Sequence, residues 1–163
     1  MRLAIVSDTH MCEATPDLEK VYEAHLVQAD MLVHCGDMTG EDVYHFLARH
    51  PGFMTVRGNC DFYPSSEDLP VMASMVCEGF RIGVGHGWGP RSIVGETVAG
   101  ALGPGYDFVF YGHTHQRDWR RLENGTWLLN PGSMSEPRYG EGPSLALLDI
   151  GQGHKPVLDW ILL

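Results

Sequence analysis

Six apolar runs in this chain break off into short clusters that carry cation-binding side chains: Asp8-Thr9-His10, Gly36-Asp37, Gly58-Asn59-Cys60-Asp61, Gly85-His86-Gly87, Gly112-His113-Thr114-His115 and Asn130-Pro131-Gly132-Ser133. A strand that stops at a glycine and then offers Asp, His or Asn puts a hard oxygen or an imidazole nitrogen on a tight loop, where backbone can approach an ion closely. Packing does not account for such a series, because polar groups of this kind are costly to bury unpaired. The clusters, spread from residue 8 to residue 133, are therefore expected to converge on one site.

The 163 residues suit one domain, 1–163, able to bury a core without a disulfide or metal. No run approaches the roughly 20 apolar residues that span a bilayer, so a membrane role is not expected. The run Leu3–Val6 is too short for a signal peptide and leads directly to Asp8, so residue 1 is expected to belong to the fold. Four cysteines without a C-x-x-C pair read as free thiols in a reducing compartment, which predicts a cytoplasmic protein. A net charge of -10 removes the basis for non-specific nucleic-acid binding and disfavours a nuclease. Any phosphate handled here must meet local positive charge, which divalent cations beside Asp8 and Asp37 would supply.

The first third alternates strand and helix: strand Leu3–Val6, a helix capped by Thr15 with Pro16 at its first position, strand Met31–Val33, helix Glu41–Arg49 and strand Phe53–Val56. That order predicts parallel pairing. Beyond residue 70, Val71–Cys77 and Arg81–Val84 suggest a hairpin, Ile93–Leu102 a helix ending at Gly103-Pro104, and Phe108–Tyr111 a strand. Trp119–Leu122 and Thr126–Leu129 flank Asn124-Gly125, a two-residue hairpin signal, and Leu145–Leu148 and Val157–Leu162 give two more strands. The expected architecture is one α/β domain of two packed mixed β-sheets, a double β-sandwich flanked by α-helices, with the clusters at strand ends.

These clusters, in this order, resemble the calcineurin-like metallophosphoesterase superfamily, whose pattern is D-x-H, G-D, G-N-H-[DE], G-H and G-H-x-H. Small size, Cys60 within Gly58-Asn59-Cys60-Asp61, and Asn130-Pro131-Gly132-Ser133 followed by Pro137-Arg138 look most like its small bacterial and archaeal phosphodiesterase branch. The resemblance implies a site for two divalent metal ions: Asp8, His10 and His115 on one, Asn59, His86 and His113 on the other, Asp37 bridging. It also implies hydrolysis of a small phosphate-ester substrate by a hydroxide shared between the ions, attacking phosphorus in line. The related retromer subunit supplies the rival reading, a non-catalytic scaffold that binds protein. An intact set of seven ligands weighs against that rival, since a scaffold can dispense with them.

Mixed nitrogen and oxygen ligands suit Mn²⁺, the first choice, with Zn²⁺, Fe²⁺ or Ni²⁺ as alternatives. On an extended segment His113 and His115, at i and i+2, would point the same way and Thr114 elsewhere. Asn59, as a neutral oxygen ligand, would leave its ion more positive charge for the substrate. Asp37, Asn59, His86, Cys60 and Asp61 are the candidate catalytic residues. Cys60 stands where many superfamily members have His, and a thiol is a poorer acid for a leaving oxygen, which favours phosphodiesters over monoesters. Ser133, Arg138 and Trp88 are candidate substrate contacts, through hydroxyl, guanidinium and ring stacking. His34, just before Cys35-Gly36-Asp37, is placed to brace a ligand, whereas His25, His45, His50 and His154 read as packed or solvated imidazoles. No G-x-x-x-x-G-K-[ST] loop and no H-E-x-x-H occurs, which argues against a P-loop hydrolase and a zincin protease.

Overall fold

Strand β1 (Arg2–Val6) shows how the molecule is layered. Its side chains alternate in direction, as in any strand. Leu3 and Ile5 enter a core shared with Ile82, Val84, Phe108, Phe110 and Leu129, while Ala4 and Val6 enter a second core with Leu18, Tyr22, Leu26, Val43 and Leu47. Strand β6 (Phe108–Tyr111) repeats the device: Phe108 and Phe110 face the shared core, and Val109 and Tyr111 face a third cluster with Val94 and Val98. Two sheets thus pack on one another with helices on both outer sides. The computed structural model describes residues 1–140 and 142–163.

The first sheet has the order β10 (Val157–Leu162), β9 (Ser144–Asp149), β1, β2 (Met31–His34), β3 (Phe53–Thr55). Within it β1, β2 and β3 run parallel, as the strand–helix alternation predicts, while β9 and β10 are antiparallel. The second sheet has the order β4 (Met72–Cys77), β5 (Phe80–Gly85), β6, β8 (Trp127–Pro131), β7 (Arg117–Arg121), with β5, β6 and β8 parallel. The helices are α1 (Pro16–Val21), α2 (Glu41–Leu47) and α3 (Val94–Leu102). Every ligand-bearing cluster leaves the carboxyl end of a parallel strand. This is where open α/β sheets gather ligands, because the loops there diverge from a fixed frame.

Local chemistry explains the boundaries. The Thr15 side chain accepts a hydrogen bond from the Leu18 N–H at 3.2 Å and opens α1. The same helix then widens over Tyr22–Leu26 into a π turn, closed by the Val27 N–H on the Tyr22 carbonyl. Helix α2 stops at Leu47, short of the expected Arg49, and Pro64–Asp68 forms a 3₁₀ turn in what the sequence offers as a loop. The hairpin at Asn124-Gly125 differs from expectation. Leu122 pairs with the Thr126 carbonyl, leaving a three-residue loop with Gly125 at φ +94°, a conformation that glycine adopts freely. No helix among the described residues is long and apolar enough to cross a membrane.

Candidate metal centre

The loop after β1 carries Asp8 and His10, that after β2 carries Asp37, and that after β3 carries Asn59 to Asp61. From the second sheet, the loop after β5 carries His86 and the loop after β6 carries His113 and His115. Five of these residues, Asp8, His10, Asp37, His113 and His115, hold the left-handed backbone conformation, with φ between 46° and 67°. That conformation costs a non-glycine residue about 1–3 kcal/mol and persists only where surroundings enforce it. The His-Thr-His segment is consequently not extended, contrary to the sequence expectation. Two left-handed residues flank Thr114, whose hydroxyl accepts from the Asn130 amide at 3.0 Å, and the two imidazoles serve different ends of the site.

At one end, Asp8 Oδ1 lies 3.2 Å from His115 Nε2 and 3.8 Å from His10 Nε2, and the two imidazole nitrogens are 3.2 Å apart. At the other, Asn59 Oδ1 lies 3.0 Å from His86 Nε2 and 2.9 Å from His113 Nδ1. Between them sits Asp37, with Oδ2 3.3 Å from His86 Nε2 and 3.7 Å from His10 Nε2. Its other oxygen accepts the Cys60 backbone N–H at 2.7 Å, which fixes how the carboxylate is turned. The structure brings all seven sequence-predicted ligands together.

The donor chemistry fits a cation. His86 Nδ1 donates to the Cys35 carbonyl at 2.8 Å and His115 Nδ1 to the Glu136 carbonyl at 2.7 Å, so each neutral ring turns a bare Nε2 lone pair inward. Those lone pairs face oxygens that also only accept. Asp8 Oδ1 is buried and has no hydrogen-bond partner among the described residues. Acceptors crowded on acceptors repel unless a positive charge lies between them. Three overlapping groups, Asp8/His10/His115, His10/Asp37/Cys60 and Asp8/Asp37/His86, have donor atoms within 4.8 Å of one another.

The carboxylates draw positive charge to the same place. Burial opposes ionisation of Asp37, yet the hydrogen bond and charge of His86 prevail and hold its carboxyl well below the usual range. Burial likewise opposes protonation of His86 and His115, but Asp37 and Asp8 pull both imidazoles upward. His113 is lowered by burial and by His86. Burial, then Asp37, pushes the Cys60 thiol up to about 11.

Two candidate residues hold other positions than expected. Asp61 is fully buried and its carboxylate accepts three backbone N–H groups, from Asp37 at 3.0 Å, Thr39 at 2.9 Å and Gly58 at 2.7 Å. It ties the loops after β2 and β3 together at the wall of the cavity that Asn59 and His86 also line, which gives it a positioning role. Ser133 is also fully buried: its hydroxyl donates to the Asp8 carbonyl at 2.8 Å and accepts from Glu136 N–H at 2.8 Å, which leaves it no face for substrate. His34 braces loops rather than ligand side chains. Its Nδ1 accepts from Gly36 N–H and its Nε2 therefore donates to Thr9 Oγ1 at 2.6 Å.

Arg138 does reach the cleft. It lines a cavity of about 330 Å³ with His10, Asp37, Asn59, His113 and His115, and its Nε is buried without a partner among the described residues. The same cavity contains Arg91, which the sequence analysis passed over. Its only sequence signal is position, five residues after His86 in a chain poor in cations. Trp88 stands on the rim, 44% exposed.

Residues 1–153 match the calcineurin-like phosphoesterase superfamily domain. The chain is 34% identical, over 152 residues, to a probable metallophosphoesterase of Methanothermobacter thermautotrophicus, covering 92% of this chain and 86% of that protein. It is 25% identical over 162 residues to a phosphodiesterase of Methanocaldococcus jannaschii, covering 91% and 93%. Its fold is similar to that of Vps29 from Chaetomium thermophilum, with a TM-score of 0.74 and 19% identity over 99% of this chain and 97% of that one.

Proposed function

Because the chain belongs to the calcineurin-like phosphoesterase superfamily, we propose that it is a cytoplasmic hydrolase of small phosphate esters, using two divalent ions and preferring diesters to monoesters. The observation that carries this reading is the convergence of seven inward-facing donors, including the orphaned Asp8 Oδ1, on a cleft that also holds Arg138 and Arg91. Asp8, His10 and His115 would hold one ion and Asn59, His86 and His113 the other. The Cys60 N–H turns Asp37 so that Oδ2 stands between His10 and His86, the position a bridging carboxylate requires.

When bound, the ions supply a water acidified to near-neutral pH and positive charge for the phosphoryl oxygens. The chain's own residues do the rest. The Cys35 and Glu136 carbonyls fix the tautomers and orientation of His86 and His115. Arg138 and Arg91 offer planar guanidinium donors to non-bridging phosphate oxygens. Cys60, in place of a more acidic imidazole, offers little help to a poor leaving group, which favours diesters, as does the phosphodiesterase among the relatives. Mn²⁺ is the preferred ion on ligand type. The free cysteines and net charge of -10 support a reducing compartment and a substrate that is neither membrane nor bulk nucleic acid.

The scaffold reading draws on the fold shared with Vps29, but the intact donor set favours catalysis. A titration of the purified chain with Mn²⁺, Zn²⁺, Fe²⁺ and Ni²⁺, read as hydrolysis of bis-p-nitrophenyl phosphate and of p-nitrophenyl phosphate, tests the proposal. Metal-dependent turnover with the diester faster is expected. Inactivity with every ion refutes hydrolysis, and faster monoester cleavage refutes the preference.

A further inference from the structure

Next to the cleft that Arg138 lines, and sharing Asn59 with it, lies a second cavity of about 370 Å³, lined by Arg57, Asn59, Asp61, Phe62, Val71, His86 and Trp88. Asn59 and His86 are the residues it has in common with the metal site, so the cavity opens directly onto the place where phosphorus would sit. Its outer wall is anomalous. Phe62 is 82% exposed, Val71 59% and Trp88 44%, whereas the other aromatic rings, Tyr139 apart, are buried or half-buried. Single exposed apolar side chains are ordinary, but three lining one concavity beside a polar site form a recognition surface. Two of the three are flat aromatic rings on separate loops, Phe62 directly after Asp61 and Trp88 two residues after His86. Arg57 adds a cation, which attracts the face of a ring.

The two cavities therefore differ: Arg138 and Arg91 line one, and exposed aromatic and aliphatic side chains with Arg57 line the other. We infer that the cavity between Phe62 and Trp88 receives a planar aromatic group on the ester arm of the substrate, a nucleobase or an aryl ring. This rests on the phosphoesterase reading above and adds to it a substrate class. An arm of this kind would pack against both Phe62 and Trp88 while its phosphate lies against Asn59 and His86.

Calorimetric binding to the Mn²⁺-loaded protein separates the possibilities, with adenosine 5′-monophosphate, phenyl phosphate, ribose 5-phosphate and inorganic phosphate as ligands. Stacking strengthens binding by roughly tenfold or more per base, so at least one aromatic ligand should exceed ribose 5-phosphate by about that factor. Preference for adenosine 5′-monophosphate alone identifies a nucleobase, and an equal gain with phenyl phosphate identifies a simple ring. Phe62→Ala and Trp88→Ala, both of exposed side chains, should each remove most of the gain, while Trp88→Phe retains it. Equal binding of aromatic and non-aromatic phosphates, or a preference that survives both alanine variants, overturns the inference while leaving the hydrolase reading standing. Failure of every phosphate to bind overturns the inference, and the hydrolase reading then stands or falls on turnover of bis-p-nitrophenyl phosphate.

Discussion

Replacing Asp61 distinguishes a positioning carboxylate from a chemical one. In Asp61→Ala three N–H donors lose their acceptor. The Asp37 bond is buried, and an orphaned buried donor costs about 2 kcal/mol; the Gly58 and Thr39 bonds are partly exposed and cost about 1 kcal/mol each. Together this is about 4 kcal/mol, which in a chain of 163 residues lowers the melting temperature by roughly 8–16 °C. Asp61→Asn should rescue little, because its one oxygen can serve Thr39 or the Asp37–Gly58 pair, and its amide then confronts the remaining N–H donors. The measurement is urea denaturation of the metal-free protein in chelator, where catalytic chemistry plays no part. Both variants should be destabilised by similar amounts, with ion affinity falling because Asp37 and Asn59 lose their anchor. A loss below about 1 kcal/mol accompanied by abolished turnover refutes the reasoning and restores Asp61 to the reaction itself.

Gly58→Ala would drive a methyl group into the Asp37 carboxylate and backbone nitrogen; a destabilisation of about 2–4 kcal/mol and weakened ion binding are expected from denaturation and calorimetry. Asn59→Asp should keep the ions, seen by metal analysis of the dialysed protein, but slow turnover as the added charge offsets that of the ion; unchanged turnover counts against Asn59 as a ligand. His34 is fully buried and burial lowers its pKa from 6.5 to about 4, so the unfolded chain binds more protons between those values and stability falls as pH drops through that window. His34→Gln should flatten the metal-free pH–stability curve by up to roughly 3 kcal/mol, and superimposable curves would exclude His34 as the source.

Much of this was legible before any coordinates. The seven donors could be found because their role resides in residue type, and the parallel strands because Leu3–Val6, Met31–Val33 and Phe53–Val56 alternate with helical spacing. What escaped depends on direction rather than identity. The positive φ values at His113 and His115 arise from surrounding packing, so a local extended reading brought both imidazoles to the site for the wrong geometric reason. Asp61 and Ser133 have the composition of active-site groups, and only their backbone partners reveal them as braces. The Asn124-Gly125 turn gained a residue because Leu122, rather than Glu123, pairs with Thr126 and closes the strand pair. Phe62 lacked any signal and Arg91 had only its position after His86, since exposure beside a cleft is a property of the assembled loops.

The donors are divided between the two sheets: Asp8, His10, Asp37 and Asn59 hang from the first, and His86, His113 and His115 from the second. Asp8/His10/His115 and Asp8/Asp37/His86 each straddle that division. An ion seated in either triad would act as a rivet through the sandwich, adding a tie at the rim where apolar contact between the layers gives way to water. Loading should then slow amide exchange in β1 and β6 together, making occupancy of the cleft a property felt by the whole molecule.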